Sequence, residues 1–452
     1  MTTWIALLPG LFSAIIAVMR TPERAFLLVY IPVLLLLPQI YGTEAQPLPS
    51  ITFSQSAIIP IFVVCIFNRF LGWKISLADF GVMAYIGSCT YSEMINSSTG
   101  QGLKLLADML SNIAAPYALG KALIVQHGNT VPLARRMVFL IFVVIILSFY
   151  EMRMTLNPFV YLPGLFFPNQ GADWPTLYRN GMVRIGGPFV QPILFGMGIA
   201  TTILLNFWLQ KNKLWQPNFK LLPRLPLEKG TIIACFLVFG LLMTHSRAPI
   251  VSCFLGYLLV GVGVSNQRMT SFYIRFIAVT ALLIMIWQLW GTYTQINQWS
   301  AQSEEEFNAA YRGEIVRKYW DVVLQKPIWG WGYSLWPKSG GMKSIDNHYL
   351  WLALKHGLVP VFILIATTLW IMIRLLIRGL TTPAANKEDS SLAFAFLSIL
   401  LTMVVSLYTV YMGMQIEPLY FMILGWAEAF ILYPMQDFSA FRKRLRPLKK
   451  RN

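Results

Sequence analysis

Charge is scarce in this sequence, and acidic charge is scarcest. Only 12% of the 452 residues are Asp, Glu, Lys or Arg, and 19 acids face 36 Lys and Arg. So little charge, with 56% hydrophobic residues and a positive mean hydropathy, excludes a soluble globular domain. Cysteine is scarce too: Cys65, Cys89, Cys235 and Cys253 lie in or beside apolar segments without a CxxC pair, so neither a disulfide framework nor a zinc site is indicated. No repeat of fixed period and no low-complexity tract occurs. The first residues lack a basic n-region and a clear small-residue cleavage site, so their apolar stretch is expected to be retained. The formal charge of +17 suggests nucleic acid, but the cations sit in short loops between apolar runs, where they set membrane topology; no nucleic-acid partner is expected.

Apolar runs are what the sequence has in abundance. A hydrocarbon core needs about 20 mostly apolar residues per helix. By that measure candidates lie near 4–19, 25–40, 51–67, 77–94, 104–126, 137–150, 188–209, 230–245, 248–265, 272–290, 358–377, 391–412 and 416–433. The expected fold is an all-α polytopic integral membrane protein of about 12–13 transmembrane helices with a large helical outer loop. One membrane domain covers 1–452, with an outer loop at 151–187, a long outer loop at 291–357 and a basic tail at 434–452. The tail FRKRLRPLKKRN should stay in the cytoplasm. Counting back from it places Arg374, Arg378 and Lys387 inside, then Arg268 and Arg275, then Lys211, Lys213, Lys220, Arg224 and Lys229. Lys121, Arg135 and Arg136, then Arg69 and Lys74, then Arg20 and Arg24 also fall inside. Every basic-rich short loop thus lands on one side. The first segment either begins outside or is re-entrant. Pro217, Pro223 and Pro226 keep the longest inner loop irregular.

The outer side holds the polar stretches. SEEEFNAAYRGEIVRKYWDVVLQKP reads as an amphipathic helix opened by a capping box, Ser303 with Glu306. Phe307, Ala310, Tyr311, Ile315, Tyr319, Val322 and Val323 form its apolar face, and Arg312, Arg317 and Lys318 lie around the other side. Pro327, Gly330 and Gly332 end it. SIDNHYLWLALKHG then forms a short second helix that Asp346 or Asn347 can cap.

Few outer groups suit chemistry. Arg184, in RIGGPFVQPILFG, is either an interfacial anchor or a ligand-binding cation, with Gly186 and Gly187 letting backbone approach closely beside it. Arg247, in MTHSRAPI, sits where two apolar helices turn back with almost no loop, and either pairs with a carboxylate or meets an anionic ligand. His245 reads as a polar residue of the helix end. Together with Arg312 or Arg317, these arginines suit a diphosphate, whose oxygens guanidinium groups bind in pairs. With no metal-ligand cluster, DxD pair or phosphate-cradling glycine loop on that side, arginines would neutralise a departing diphosphate, and neither metal nor cofactor is expected. Asp346 or His348 could take a proton.

The quoted segments at Arg184 and Arg247, and the blocks YRGEIVRKYWDVVLQKPIWGWG and SIDNHYLWLALKHGLVPV, resemble the O-antigen ligase and O-antigen polymerase superfamily. The resemblance extends over the second half to two-thirds of the chain. It implies transfer of a glycan from an undecaprenyl-diphosphate carrier on the periplasmic face of the bacterial inner membrane. The acceptor would be a second carrier-linked repeat unit in a polymerase of O-antigen, exopolysaccharide or capsule, or the lipid A core in a ligase. Membrane lipids and a chain-length regulator are further partners it implies. Carried over, Arg184 and Arg247 match arginines at the diphosphate, and 344–357 matches the segment supplying a histidine base in ligases. Ligases place that histidine directly before Asn; here Asp346 precedes Asn347 and His348 follows, which leans towards a polymerase. A lipid-linked oligosaccharide transporter, with Asp108 and Glu428 inside helices, is the alternative from another class.

Overall fold

The computed structural model describes residues 2–43, 50–67, 70, 72–167, 170–171, 174–216, 228–294, 304–333, 335–337, 344–383 and 386–433. The expected capping residue Ser303, the inner-loop residues Arg69, Pro217, Lys220, Pro223, Arg224 and Pro226, and the basic tail 434–452 lie outside these residues. Every expected apolar segment contains helix. Among the described residues, four helices are long and apolar enough to cross a membrane: Thr130–Met154, Pro192–Lys211, Leu358–Thr381 and Lys387–Leu407. Shorter apolar helices include Trp4–Met19, Phe53–Phe67, Lys229–Met243 and Arg247–Val260. The protein is thus a multi-pass helical membrane protein. Two expected spans are broken by wide π turns at Phe26–Tyr30 and Leu110–Ala114. Each break is followed at the second position by a proline, Pro32 or Pro116, which has no N–H to continue the ladder.

Pro192–Lys211 and Lys387–Leu407 are buried along most of their length and form the middle of the bundle. Small residues set how closely the helices approach. A Cβ on Gly120 would lie 2.4 Å from the Met422 carbonyl, and one on Gly425 2.0 Å from the Tyr117 carbonyl, so Ala115–Leu123 and Ile416–Leu432 meet backbone to backbone. Arg247–Val260 lies against Lys387–Leu407 through Gly256, the Ser252–Ser406 hydroxyl pair (2.8 Å) and the Thr402 hydroxyl donating to the Ser252 carbonyl (3.0 Å). Elsewhere Phe362, Ile365, Leu369, Ile373 and Ile377 form an exposed apolar stripe down Leu358–Thr381, as a lipid-facing helix requires.

The two ends of Leu77–Asn96 mark the two ends of the bundle. Near Leu77, Lys121 is enclosed with Asp79 (2.6 Å), which also caps the Ser76 N–H (2.8 Å). Arg374 pairs there with the buried Glu428 (2.8 Å) and Arg378 with Asp389 (2.9 Å). Near Asn96 lie the polar segments of the long loop. The Ser92 hydroxyl and the Asn96 amide both donate to the Trp329 carbonyl (2.6 and 3.0 Å). Among the described residues, extended pairing occurs at an isolated antiparallel bridge, Gly42–Thr52, and in 151–187, expected as a loop, which contains the helix Pro158–Gly164 and an antiparallel hairpin, β1 (Leu177–Arg179) and β2 (Met182–Arg184).

Candidate functional site

The hairpin is where the site is built. Its turn is Asn180-Gly181, both with positive φ (+50° and +73°), the combination that matches the twist of two paired strands. Pairing Arg179 with Met182 and Leu177 with Arg184 fixes where the two arginines stand. Both reach the connection between Lys229–Met243 and Arg247–Val260. Arg184 donates from Nε to the Thr244 carbonyl (3.2 Å) and from a terminal nitrogen to the Ser246 hydroxyl (3.0 Å). Arg179 donates to the His245 carbonyl (2.6 Å), and the Ile185 N–H to the Met243 carbonyl (3.3 Å). Carbonyls left over at a helix C-terminus thereby gain cationic donors. Arg247 follows as the first residue of its helix and is exposed. Gly196 lets the Pro192–Lys211 helix close on this turn, since a Cβ there would lie 2.9 Å from Pro249.

Behind Arg184, the buried Glu151 at the end of Thr130–Met154 accepts the N–H groups of Gly186 and Gly187, 3.0 Å each, one per carboxylate oxygen. Gly187 has φ +52°, and a Cβ on Gly186 would meet the Val190 carbonyl at 2.2 Å. The glycines thus serve a carboxylate cradle rather than simple helix contact. The Asn157 amide donates to the Gly187 carbonyl (2.8 Å) and Gln415 to the Pro188 carbonyl (2.5 Å). Non-glycine residues with left-handed backbone, Val190 (+64°), His245 (+46°) and Met414 (+51°), lie in the three connections meeting here. For a β-branched residue such as Val190 that costs about 1–3 kcal/mol and persists only where the surroundings enforce it. Glu151→Ala would leave two buried N–H groups unpaired, each costing about 1–3 kcal/mol. Thermal unfolding of the detergent-solubilised variant should therefore begin well below that of the wild type.

The expected helix of the long loop spans Glu304–Gln325. Ala310, Ile315, Tyr319 and Val323 are buried along it, whereas Phe307, expected on the same face, is 44% exposed. Arg312 and the start of the next helix close a small cavity lined by Ile315, Val316, Asp346, Asn347 and Tyr408. Burial pushes the Arg312 guanidinium below its usual value, Asp346 opposes that, and Arg179 and Arg247 reinforce it. His245 is likewise held down by burial, Arg184 and Arg179. Asp346, Arg179 and Arg247 therefore lie within electrostatic reach of Arg312, and Arg184 and Arg179 within reach of His245. Arg317 is exposed and lies about 140° around the helix from Arg312; it is not part of that cavity.

Asn347 is the N-cap of His348–His356, its side chain accepting the Leu350 N–H (3.2 Å). Asp346 is left half-buried in the cavity, accepting the Ser344 hydroxyl at 2.9 Å. His348 turns the other way. It is 1% exposed, its Nδ1 accepts the Met412 N–H (3.1 Å), and Nε2 has no partner among the described residues. Accepting at Nδ1 puts the proton of the neutral ring on Nε2, so neither nitrogen offers a free lone pair. Burial, with Lys355 adding to it, pushes this imidazole down to about 3.

Gly330 (φ +61°) and Gly332 (φ +80°) do more than end the first helix. They bring the turn onto the end of the second, where Trp331 and Gly332 N–H groups donate to the Leu354 and Lys355 carbonyls (2.9 and 2.8 Å). A Cβ on Gly330 would lie 2.5 Å from the Gly357 nitrogen.

Two participants escaped sequence reasoning. Arg179 had a signal in its Asn-Gly turn between short strands; Glu151 had none, because its partners are 35 and 36 residues away. Among the described residues no group of three or more His, Cys, Asp or Glu side chains could hold a metal ion.

Residues 232–365 match the sequence model of the O-antigen ligase family. The matched stretch includes Arg247, Arg312, Arg317, Gly330, Gly332, Asp346, Asn347 and His348; Arg184, which the sequence resemblance had included, lies outside it, as do Arg179 and Glu151. No curated protein matches the chain.

Proposed function

We infer, for a chain whose residues 232–365 carry the O-antigen ligase family domain, that the protein is a glycosyltransferase acting as a polymerase on carrier-linked repeat units. Donor and acceptor are glycans on undecaprenyl diphosphate, and the products are O-antigen, exopolysaccharide or capsule chains. The observation that carries this reading is the cavity shared by Arg312 and Asp346, with Arg179 and Arg247 within electrostatic reach of Arg312 and the turn before Arg247 held by Arg179 and Arg184. Mutually repelling cations at the end of a membrane bundle suit a doubly charged diphosphate whose lipid lies in the bilayer.

Asp346 takes the proton of the acceptor hydroxyl, whose oxygen attacks the anomeric carbon. The bond from that carbon to the diphosphate oxygen breaks, and its electron pair leaves on the diphosphate. Arg247 and Arg312 offset the growing charge, while Arg179 and Arg184 also hold the turn that carries Arg247. The chemistry asks for no metal. His348, closed off and occupied at Nδ1, supports the fold around the base. The basic short loops favour a cytoplasmic C-terminus and a site on the periplasmic side of the inner membrane. A chain-length regulator is the expected protein partner.

The matched family's description favours transfer to the lipid A core instead; Asp346, standing where ligases have histidine, favours the polymerase. Transport is less well supported, because Glu428 pairs with Arg374 (2.8 Å) and Asp108 accepts from Gln55 (2.7 Å) and Asn112 (2.9 Å). The full chain in nanodiscs with a carrier-linked repeat unit as sole substrate should make longer carrier-linked glycans and release undecaprenyl diphosphate. Product only when lipid A core is added would identify a ligase, and movement across a vesicle without a new glycosidic bond a transporter.

A further inference from the structure

One face of His348–His356 carries a largely buried lysine beside two aromatic rings. His348, Trp351 and Lys355 recur at helical spacing along it. Lys355 is only 6% exposed, and its ammonium makes no hydrogen bond or ion pair among the described residues. It lies 4.6 Å from the Trp351 ring centroid and 4.3 Å from that of Tyr333. Glu93, Glu417 and Asp108 are within electrostatic reach, yet Glu93 accepts from the Ser97 hydroxyl (2.6 Å) and the Tyr333 N–H (3.0 Å) instead. A lysine kept only to neutralise Glu93 would sit on that carboxylate. With no protein acceptor among the described residues, and not among the fully enclosed unpartnered atoms, this ammonium takes its acceptors from what reaches it from outside, water or a ligand.

The aromatic surface continues towards the base. The rings of Trp351 and Tyr411 are 6.5 Å apart, and Tyr411 lies within electrostatic reach of Asp346. Tyr333, at the far end, is 63% exposed. Asp346, Tyr411, Trp351 and Tyr333 thus form a strip leading away from the arginines, with Lys355 set into it.

We propose that this strip binds the acceptor glycan: a neutral pyranose lies with its C–H face on Trp351 and Tyr411, and its hydroxyls meet Lys355. Aromatic faces suit the apolar side of a sugar ring, and an ammonium beside carboxylates suits hydroxyls that both accept and donate. The assignment rests on Asp346 as the base only for the direction in which the acceptor hydroxyl points.

The test is binding without turnover. The probe is the single-repeat oligosaccharide released by mild acid from the host's own surface polysaccharide, observed by saturation-transfer NMR on the full chain in nanodiscs. Wild type should bind it; Trp351→Leu and Lys355→Met should each weaken binding about tenfold or more, and Trp351→Phe should restore most of it. Tyr333→Ala changes an exposed turn residue, so its loss of affinity cannot be ascribed to unfolding. No binding to wild type, or equal binding by these variants, overturns the proposal. Arg247→Ala, which lies at the diphosphate that the probe lacks, should bind the probe as wild type does. If that variant still polymerises, the catalytic reading fails while the acceptor strip stands.

Discussion

Replacing Arg247 by alanine should reduce polymer formation about 100- to 1,000-fold, the usual cost of removing one preorganised group that stabilises developing negative charge. The variant should reach the membrane in wild-type amounts. Arg247 is exposed at the first position of its helix, and surface substitutions of this kind change stability by about 0.5 kcal/mol or less. Its neighbours are less clean targets, because Arg179 and Arg184 also hold the 244–246 main chain and Ser246. Arg247→Lys should recover only part of the activity, since an ammonium cannot present two parallel donors to a phosphate. The readout is polysaccharide length by gel, with protein level in isolated membranes as control. Long chains at wild-type density from Arg247→Ala would remove the arginine from the mechanism.

The second large effect separates the two candidate bases. Asp346→Asn keeps an oxygen for the Ser344 hydroxyl but loses the basic charge, so it should cost about 100- to 10,000-fold in rate. His348→Gln should keep activity within about tenfold, because a side-chain oxygen can still receive the Met412 N–H. His348→Phe leaves that N–H buried and unpaired and should lower stability by about 1–3 kcal/mol. A pH signature goes with it. Unfolded histidine binds a proton near pH 6.5, whereas folded His348 does not until about 3. The unfolded state therefore holds more protons between those values, and stability falls as pH is lowered through that window, by up to about 1.4 kcal/mol per unit. That slope should be weaker in His348→Phe. If His348→Gln is dead and Asp346→Asn active, the roles are reversed.

How much of this was legible depends on the distance over which each feature is determined. Arg247 and Arg312 were legible because a charge at a helix start, or on the polar side of an amphipathic helix, is marked by its near neighbours. The same local logic placed Glu304–Gln325 and the Asn347 cap of His348–His356. Arg317, equally cationic, was indistinguishable from Arg312 until the packing showed which one faces Asp346. The burial of His348 was not legible at all, because Met412, 64 residues on, takes its Nδ1. Glu151 was hidden for a related reason: an acid one residue beyond an expected apolar run at 137–150 looks like the start of a loop. It is in fact still helical, in Thr130–Met154, and holds the backbone beside Arg184. The hairpin carrying Arg179 was readable from Asn180-Gly181, but short strands in an outer loop are easily subsumed under polar connection. Likewise Gly330 and Gly332 signal a stop to the preceding helix, while their contacts with the following one depend on a fold that brings residues 331 and 354 together.

The proposed reaction is a single displacement at the anomeric carbon, with Asp346 on one side and the arginine-held diphosphate on the other. The most direct measurement is the anomeric configuration of the newly formed linkage, by NMR on product made by the purified full chain from a carrier-linked donor of known configuration. One displacement predicts a linkage inverted relative to the donor. Retention would require a glycosyl intermediate on the protein and would contradict the account.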